Sequence, residues 1–460
     1  MILGTLLEIR LGTEKAPKDR MIYGSWVALE SFYKGLLAWG AFDEYHFFFN
    51  SSSTADNFKD NLTDLNINMN RIKLINVDKL PLYLQKTGYT VFIADGLSDF
   101  SKMTYLRNRY ARALFPVFTL TYSISYPEML KDEFLENLIS DVYPFDSVHC
   151  ISPAQLKAIK NLYGLTCDYI KKRLKLNLKY KGRLDYLPLA INADDYEKTN
   201  KRQARKLLGL PQDKTIILYF GRFSAYDKAD LEPLLLAFKK LSEKRDDILL
   251  LLAGKDAQGA YGSKVKKIAK DMGIFSKIKI FLNPSLDKKC LLYSASDIFT
   301  SPSDCIQESF GLTVLEAMAY RLPVVVSDWD GYKDIVIHKK TGLLVPTYWA
   351  DCDDEIMYLS RIRTVMQDNF YLAQSVCVDA GKTYEYLLDL IDNKNLRLKL
   401  GENGYQRALE KYDWKALIPE YEKLWENCLI YPKILIEIVI KMTFLYLTIL
   451  NAFVIIRHVC

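Results

Sequence analysis

Two glutamates, Glu308 and Glu316, flank the run Ser309-Phe310-Gly311-Leu312-Thr313-Val314-Leu315. These residue types at this spacing suit a polar ligand that carries an anion. Gly311 lets a ligand come close to the backbone, and Thr313 is placed to help cap a helix that starts there. The first N–H groups of such a helix have no intrahelical partners and favour an anion, most plausibly a phosphate. Glu308, at the mouth, can accept hydrogen bonds from a polyol, and Glu316 can reach a second hydroxyl. On spacing alone, a capped helix with two solvated glutamates would be the better account of the pattern.

The elements around this segment add to it. Residues 297–300 and 323–327 are short apolar runs on either side, so the glutamates lie beyond the C-terminal end of a strand, where open α/β sheets bind ligands. Residues 216–220 form another apolar run, ending in Gly221-Arg222 with Lys228 six positions on. This predicts a buried strand that delivers two cations to the same sheet edge. Residues 248–252 predict a further strand, which stops at Ala253-Gly254-Lys255-Asp256. Asp330-Gly331-Tyr332 and Thr341-Gly342-Leu343-Leu344-Val345-Pro346 follow more short apolar runs.

Taken together, these segments resemble the nucleotide-sugar half of glycosyltransferase family four (group 1), retaining enzymes of the GT-B fold. The resemblance is close over residues 216–346 and weaker over the rest, to about residue 424. It implies that Arg222 and Lys228 hold a donor diphosphate, that Glu308 contacts the donor sugar, and that Glu316 contacts the donor ribose. Gly221, Gly254, Ser309, Phe310, Gly311, Leu312 and Thr313 would complete the donor site. It further implies a UDP- or GDP-sugar donor, transfer with retention, and no cofactor or metal. Asp353-Asp354 reads as a solvated turn. The acceptor would be a glycan, a lipid-linked group or a small molecule. One departure is evident: where many relatives carry a histidine after the strand at 115–121, this chain has Thr121-Tyr122-Ser123, so Tyr122 or Ser123 would meet the sugar. Gly24-Ser25 stands where relatives have a glycine-rich loop near the acceptor. A plain N-cap by Ser25 explains it as well.

Strand–helix alternation on both sides of residue 195 predicts an α/β chain with two Rossmann-like, doubly wound domains facing a cleft. Apolar runs at 45–49, 90–94, 115–121 and 147–151 supply strands of the first. The expected division is residues 1–198 for the acceptor side, 199–412 for the nucleotide-sugar side, 413–427 for a helix crossing back, and 428–460 for an apolar tail. Arg107, Arg109 and Arg112 read as a solvated charged face, with an acidic acceptor or a phospholipid as the other reading.

Composition narrows the classes. Half of the 460 residues are apolar and 26% are charged, as in an ordinary globular enzyme. The net charge of +6 is mild for this length and does not point to nucleic acid. None of the eight cysteines forms a Cys-x-x-Cys pair, which argues against zinc and a disulfide framework and for a reduced, cytoplasmic setting. The start of the chain does not read as a signal peptide. Residues 434–456 are largely apolar, but the uncharged part, 442–456, is shorter than the roughly 20 residues that a spanning helix needs. Packing on the first domain, an in-plane contact with the inner face of a membrane, and a marginal span all remain open. Two other protein classes compete: a catalytically silent GT-B protein that binds sugar nucleotides, and a GT-B epimerase or phosphorylase. Intact Arg222, Lys228 and Glu308 disfavour the first. The glutamate spacing disfavours an epimerase, and the sequence shows no phosphorylase signature for a pyridoxal cofactor.

Overall fold

The computed structural model describes residues 1–6, 24–63, 67–122, 124, 127–196, 199–256, 260–306, 308–360 and 362–429. Seven strands make the first sheet: β1 (Ile2–Thr5), β2 (Glu44–Phe49), β3 (Ile72–Asn76), β4 (Val91–Asp95), β5 (Val117–Leu120), β6 (Ser147–Cys150) and β7 (Arg183–Tyr186). All are parallel, in the order β3-β2-β1-β4-β5-β6-β7. Six make the second: β8 (Thr215–Phe220), β9 (Ile248–Gly254), β10 (Ile278–Leu282), β11 (Ile298–Ser301), β12 (Val324–Ser327) and β13 (Leu343–Val345). They too are parallel, in the order β10-β9-β8-β11-β12-β13. A small antiparallel pair, β14 (Thr347–Trp349) with β15 (Val376–Val378), brackets an excursion from the second domain.

The apolar runs read from the sequence are strands because parallel sheets are covered by helices on both faces. All seven residues of β9 are buried. The helix Glu232–Ser242 turns Leu234, Leu235, Phe238 and Leu241 into that core. Sequence reasoning passed over β1, β3, β7, β10 and β13. Several of these are short or amphipathic edge strands; β7, for example, reads Arg-Leu-Asp-Tyr and has no fully buried residue.

The chain crosses between the domains twice, and the two crossings are paired. Ile191 N–H donates to the Tyr412 carbonyl at 2.9 Å, and Trp414 N–H donates to the Ile191 carbonyl at 3.1 Å. A helix over 414–429 then lies on the first domain. Trp414 Nε1 donates to Ser31 Oγ at 2.7 Å, Tyr421 OH donates to the Pro188 carbonyl at 3.1 Å, and the Trp425 ring meets Phe118 at 5.7 Å. Gly35 makes room for this packing, since a Cβ there would come 2.5 Å from the Trp414 ring. Residues 430–460, including the apolar stretch 434–456, lie outside the described residues.

The fold corrects the reading of Arg107. Its guanidinium is fully buried, ion-paired with Asp146, bonded to the Phe115 carbonyl at 2.8 Å, and about 5 Å from the rings of Tyr143 and Phe145. It is part of the first domain's core, whereas Arg109 and Arg112 are exposed. Asp353-Asp354 opens a short helix, Asp353–Met357, instead of forming a turn.

Candidate active site

Strand order in the second sheet reverses between β8 and β11. That topological switch point opens a crevice at the C-terminal ends of the strands. The loop after β8 carries Gly221, Arg222 and Lys228, and the loop after β11 carries Glu308 and Ser309. A cavity of about 330 Å³ lies there, lined from the second domain by these residues and closed from the first by Gly24, Ser25, Tyr122 and Leu189. Residues nearly 200 positions apart therefore share one wall.

Two glycines let the ends of β8 and β9 meet. Gly254 has φ +148°, and a Cβ on it would sit 1.7 Å from the Gly221 carbonyl oxygen. Only glycine fits so close an approach. Gly311 has φ +117° and precedes the helix Leu312–Ala319. A Cβ there would enter the Tyr332 ring at 2.6 Å. Gly311 is itself the N-cap, and no side chain caps this helix. The expected capping by Thr313 is thus corrected: Thr313 lies inside the first turn, because the left-handed glycine already turns the chain. Gly311, Leu312 and Thr313 line the cavity, so a helix start with unpartnered N–H groups borders it.

Each cation is paired with a carboxylate. Arg222 Nη1 meets Asp227 Oδ2 at 2.7 Å, and Nη2 donates to the Asp227 carbonyl at 3.2 Å. Burial works against the Arg222 charge, but Asp227 outweighs it and raises the pKa. Lys228 forms an ion pair with Glu308, and the two side chains are only 12% and 11% exposed. Here too burial opposes the charge, and Glu308 more than offsets it, holding the ammonium protonated far above neutral pH. Lys228 is therefore not a free loop lysine. The Ser303 hydroxyl donates to the Lys228 carbonyl at 2.8 Å. Asp330, beside the site, is pushed up to about 7 by burial and by Glu308.

Glu316 is held by two side chains that sequence reasoning missed. Lys289 Nζ meets Oε1 at 2.5 Å, and Tyr293 OH donates to Oε2 at 3.0 Å. Both come from the helix Leu286–Ala295. Nothing in the spacing links them to Glu316. Lys255 and Asn283 also line the cavity. Their signal was available, since each directly follows the end of a strand.

The first-domain residues stand as follows. Gly24 and Ser25 line the cavity, but the helix Gly24–Trp39 begins at Gly24, so Ser25 lies in its first turn and is not the N-cap. Tyr122 lines the cavity, yet its hydroxyl is buried without a hydrogen-bond partner among the described residues. Its carbonyl makes the contacts, accepting from Ser309 Oγ at 2.9 Å and from Gln155 Nε2 at 2.8 Å. Ser123 lies outside the described residues.

Two doubly wound sheets meeting at such a switch-point cavity define a GT-B protein. Solved structures share this fold across nearly the whole chain. Sucrose-phosphate synthase from Thermosynechococcus elongatus aligns with a TM-score of 0.59 at 19% identity, over 93% of this chain and 98% of that one. HepE from Anabaena, solved in complex with UDP, aligns at 0.61 and 14%, over 92% and 98%. A glycosyltransferase from Rickettsia africae gives 0.59 at 16%, over 93% and 98%. Residues 200–371 match the family model described as glycosyl transferases group 1. Among curated proteins, the D-inositol 3-phosphate glycosyltransferase of Mycobacteroides abscessus is 30% identical over 181 residues, 38% of this chain and 39% of that protein. The Mycobacterium leprae protein of the same name is 27% identical over 200 residues, 42% and 45%. These matches span less than half the length of the relatives.

Proposed function

We propose that the protein is a glycosyltransferase that moves a sugar from a nucleoside diphosphate sugar to an acceptor hydroxyl, with retention of anomeric configuration and without a metal. The observation that carries this is the Lys228–Glu308 pair at the switch point, beside Arg222 and the start of the helix Leu312–Ala319.

Breaking the anomeric C–O bond leaves charge on the departing diphosphate and an oxocarbenium-like sugar. Arg222, Lys228 and the first-turn N–H groups face the growing phosphate charge, and such fixed donors stabilise a transition state more than a ground state. Asp227 and Glu308 keep the two cations placed before the donor arrives. Glu308 orients sugar hydroxyls, and the Glu316–Lys289 pair takes the ribose and its neighbouring phosphate. A metal has no necessary task in this scheme. The bound UDP of HepE favours a uridine donor over a guanosine one.

A panel of UDP- and GDP-sugars tests the reading, with release of nucleoside diphosphate and the anomeric proton coupling of the product as readouts. Turnover with a UDP-sugar, a retained configuration and an unchanged rate in chelator are expected. Binding without turnover across donors and acceptors would leave only a sugar-nucleotide-binding protein.

A further inference from the structure

The mild net charge hides one dense basic segment. Residues 171–181 read Lys-Lys-Arg-Leu-Lys-Leu-Asn-Leu-Lys-Tyr-Lys, with six cations and no acid. They cover the last turn of the helix Pro153–Leu174 and the irregular chain leading to β7, the edge strand of the first sheet. Lys171, Lys172, Arg173, Lys175, Lys179 and Lys181 are all exposed, and none forms an ion pair among the described residues. Cations in a final helical turn complement the helix dipole, which accounts for Lys171, Lys172 and Arg173. It does not account for the three beyond the helix.

Apolar side chains are interleaved with these charges and left in water. Leu174 is 64% and Leu176 53% exposed; one and two turns back on the helix, Tyr169 and Leu165 are 60% and 67% exposed. Leu174 and Leu176 stand exposed directly among the cations, which a merely solvated charged segment would not need. The chain also leaves the described structure at this corner: Cys428, in the last turn of the helix 414–429, lies within electrostatic reach of Arg183 and Asp185 on β7. The largely apolar stretch 434–456 follows within a few residues.

We infer that this edge of the first domain docks on an anionic lipid bilayer, with the six cations meeting the headgroups and Leu174 and Leu176 entering the interface. Basic residues next to a membrane contribute through the negative surface potential, and interleaved apolar residues add burial. A stable peripheral contact takes two such signals, and here the basic segment and the exposed Leu174 and Leu176 supply them. A nucleic acid or an acidic protein would match the charge but would leave the leucines without a role. The helix Pro153–Leu174 begins at the interdomain contact, where Ala154 N–H donates to Asp334 of the second domain at 3.1 Å. Its 22 residues place the basic end about 30 Å from the cleft. The cleft would thus stand off the bilayer at a set distance, open to the aqueous donor.

Flotation of the full chain with vesicles tests this, using phosphatidylcholine alone and phosphatidylcholine mixed with phosphatidylglycerol. Wild type should bind the anionic vesicles selectively and lose binding as salt rises. Joint replacement of Lys171, Lys172, Arg173 and Lys175 by Gln should weaken that binding roughly a hundredfold, at about fivefold for each cation less screening. Leu174→Ser with Leu176→Ser should weaken it by about tenfold. All six positions are exposed, so UDP binding should hold and the unfolding temperature should fall only by the small helix-end contribution of Lys171, Lys172 and Arg173. Wild-type vesicle affinity in the Gln variant, equal binding of neutral and anionic vesicles, or tighter binding of a single-stranded RNA than of anionic vesicles would each overturn the inference. The readout is lipid binding, so it stands or falls apart from sugar transfer.

Discussion

The Ser309 hydroxyl donates to the Tyr122 carbonyl at 2.9 Å, and so joins the glutamate segment of the second domain to the end of β5 in the first. Ser309 follows Glu308 directly, so the orientation of the first domain is tied to the residue proposed to position the sugar. Ser309→Ala removes one interdomain bond, worth about 1 kcal/mol. The donor KM should rise about fivefold with kcat little changed. Steady-state kinetics over a donor series would check it, and an unchanged KM would show that the bond does not shape the site.

The buried Lys228–Glu308 pair alters what a charge-removing mutation does. Lys228→Ala leaves Glu308 buried and uncompensated, a loss of about 3–5 kcal/mol in comparable pairs, in addition to a rate loss of about 10²–10³. Lys228→Met combined with Glu308→Gln should recover most of the stability and none of the activity. Chemical denaturation beside turnover measurements separates the two effects. Arg222→Ala should show the rate loss with a smaller stability cost, because Arg222 is more exposed, at 25%.

Glu316 and Lys289 should act as one unit on nucleotide binding. Glu316→Gln and Lys289→Ala are each expected to weaken UDP binding about tenfold, at roughly 1–2 kcal/mol for a charge-assisted contact. The double variant should be little worse than either single one. Titration calorimetry on the four proteins gives the coupling. Full additivity would mean that the two side chains contact the ligand independently.

His149 should impose an acid limit on stability. It is fully buried, and burial depresses its pKa to about 4. The unfolded chain takes up that proton near pH 6.5. Between those values the unfolded state binds more protons, so stability is lost as pH falls from about 6.5 to about 4. The loss amounts to about 3 kcal/mol. Denaturation curves of wild type and His149→Gln across that window should differ in slope, with the variant flatter. Parallel slopes would assign the acid sensitivity to other groups.

Local patterns in the sequence determined much of this protein. Short apolar runs located the central strands β8, β9, β11 and β12, because strands covered by helices on both faces must be largely apolar. They placed Arg222, Lys228, Glu308 and Gly311 at one sheet edge, since each lies on a connection that leaves the C-terminal end of a strand. Only the tertiary structure decided what those residues touch. Lys289 and Tyr293 reach Glu316 across 27 and 23 positions of sequence, and Arg107 is buried against Asp146 while Arg109, two positions on in the same helix, is exposed. Edge strands such as β7 left too weak a local pattern to be read. Sequence reasoning found no basic block dense enough for nucleic acid and passed over residues 171–181, whose exposure and place beside the end of the helix 414–429 came only with the fold. Periodicity and turn residues record what each segment buries. Which distant segments then become neighbours follows from the order of strands in the two sheets, and only packing of the whole chain sets that order.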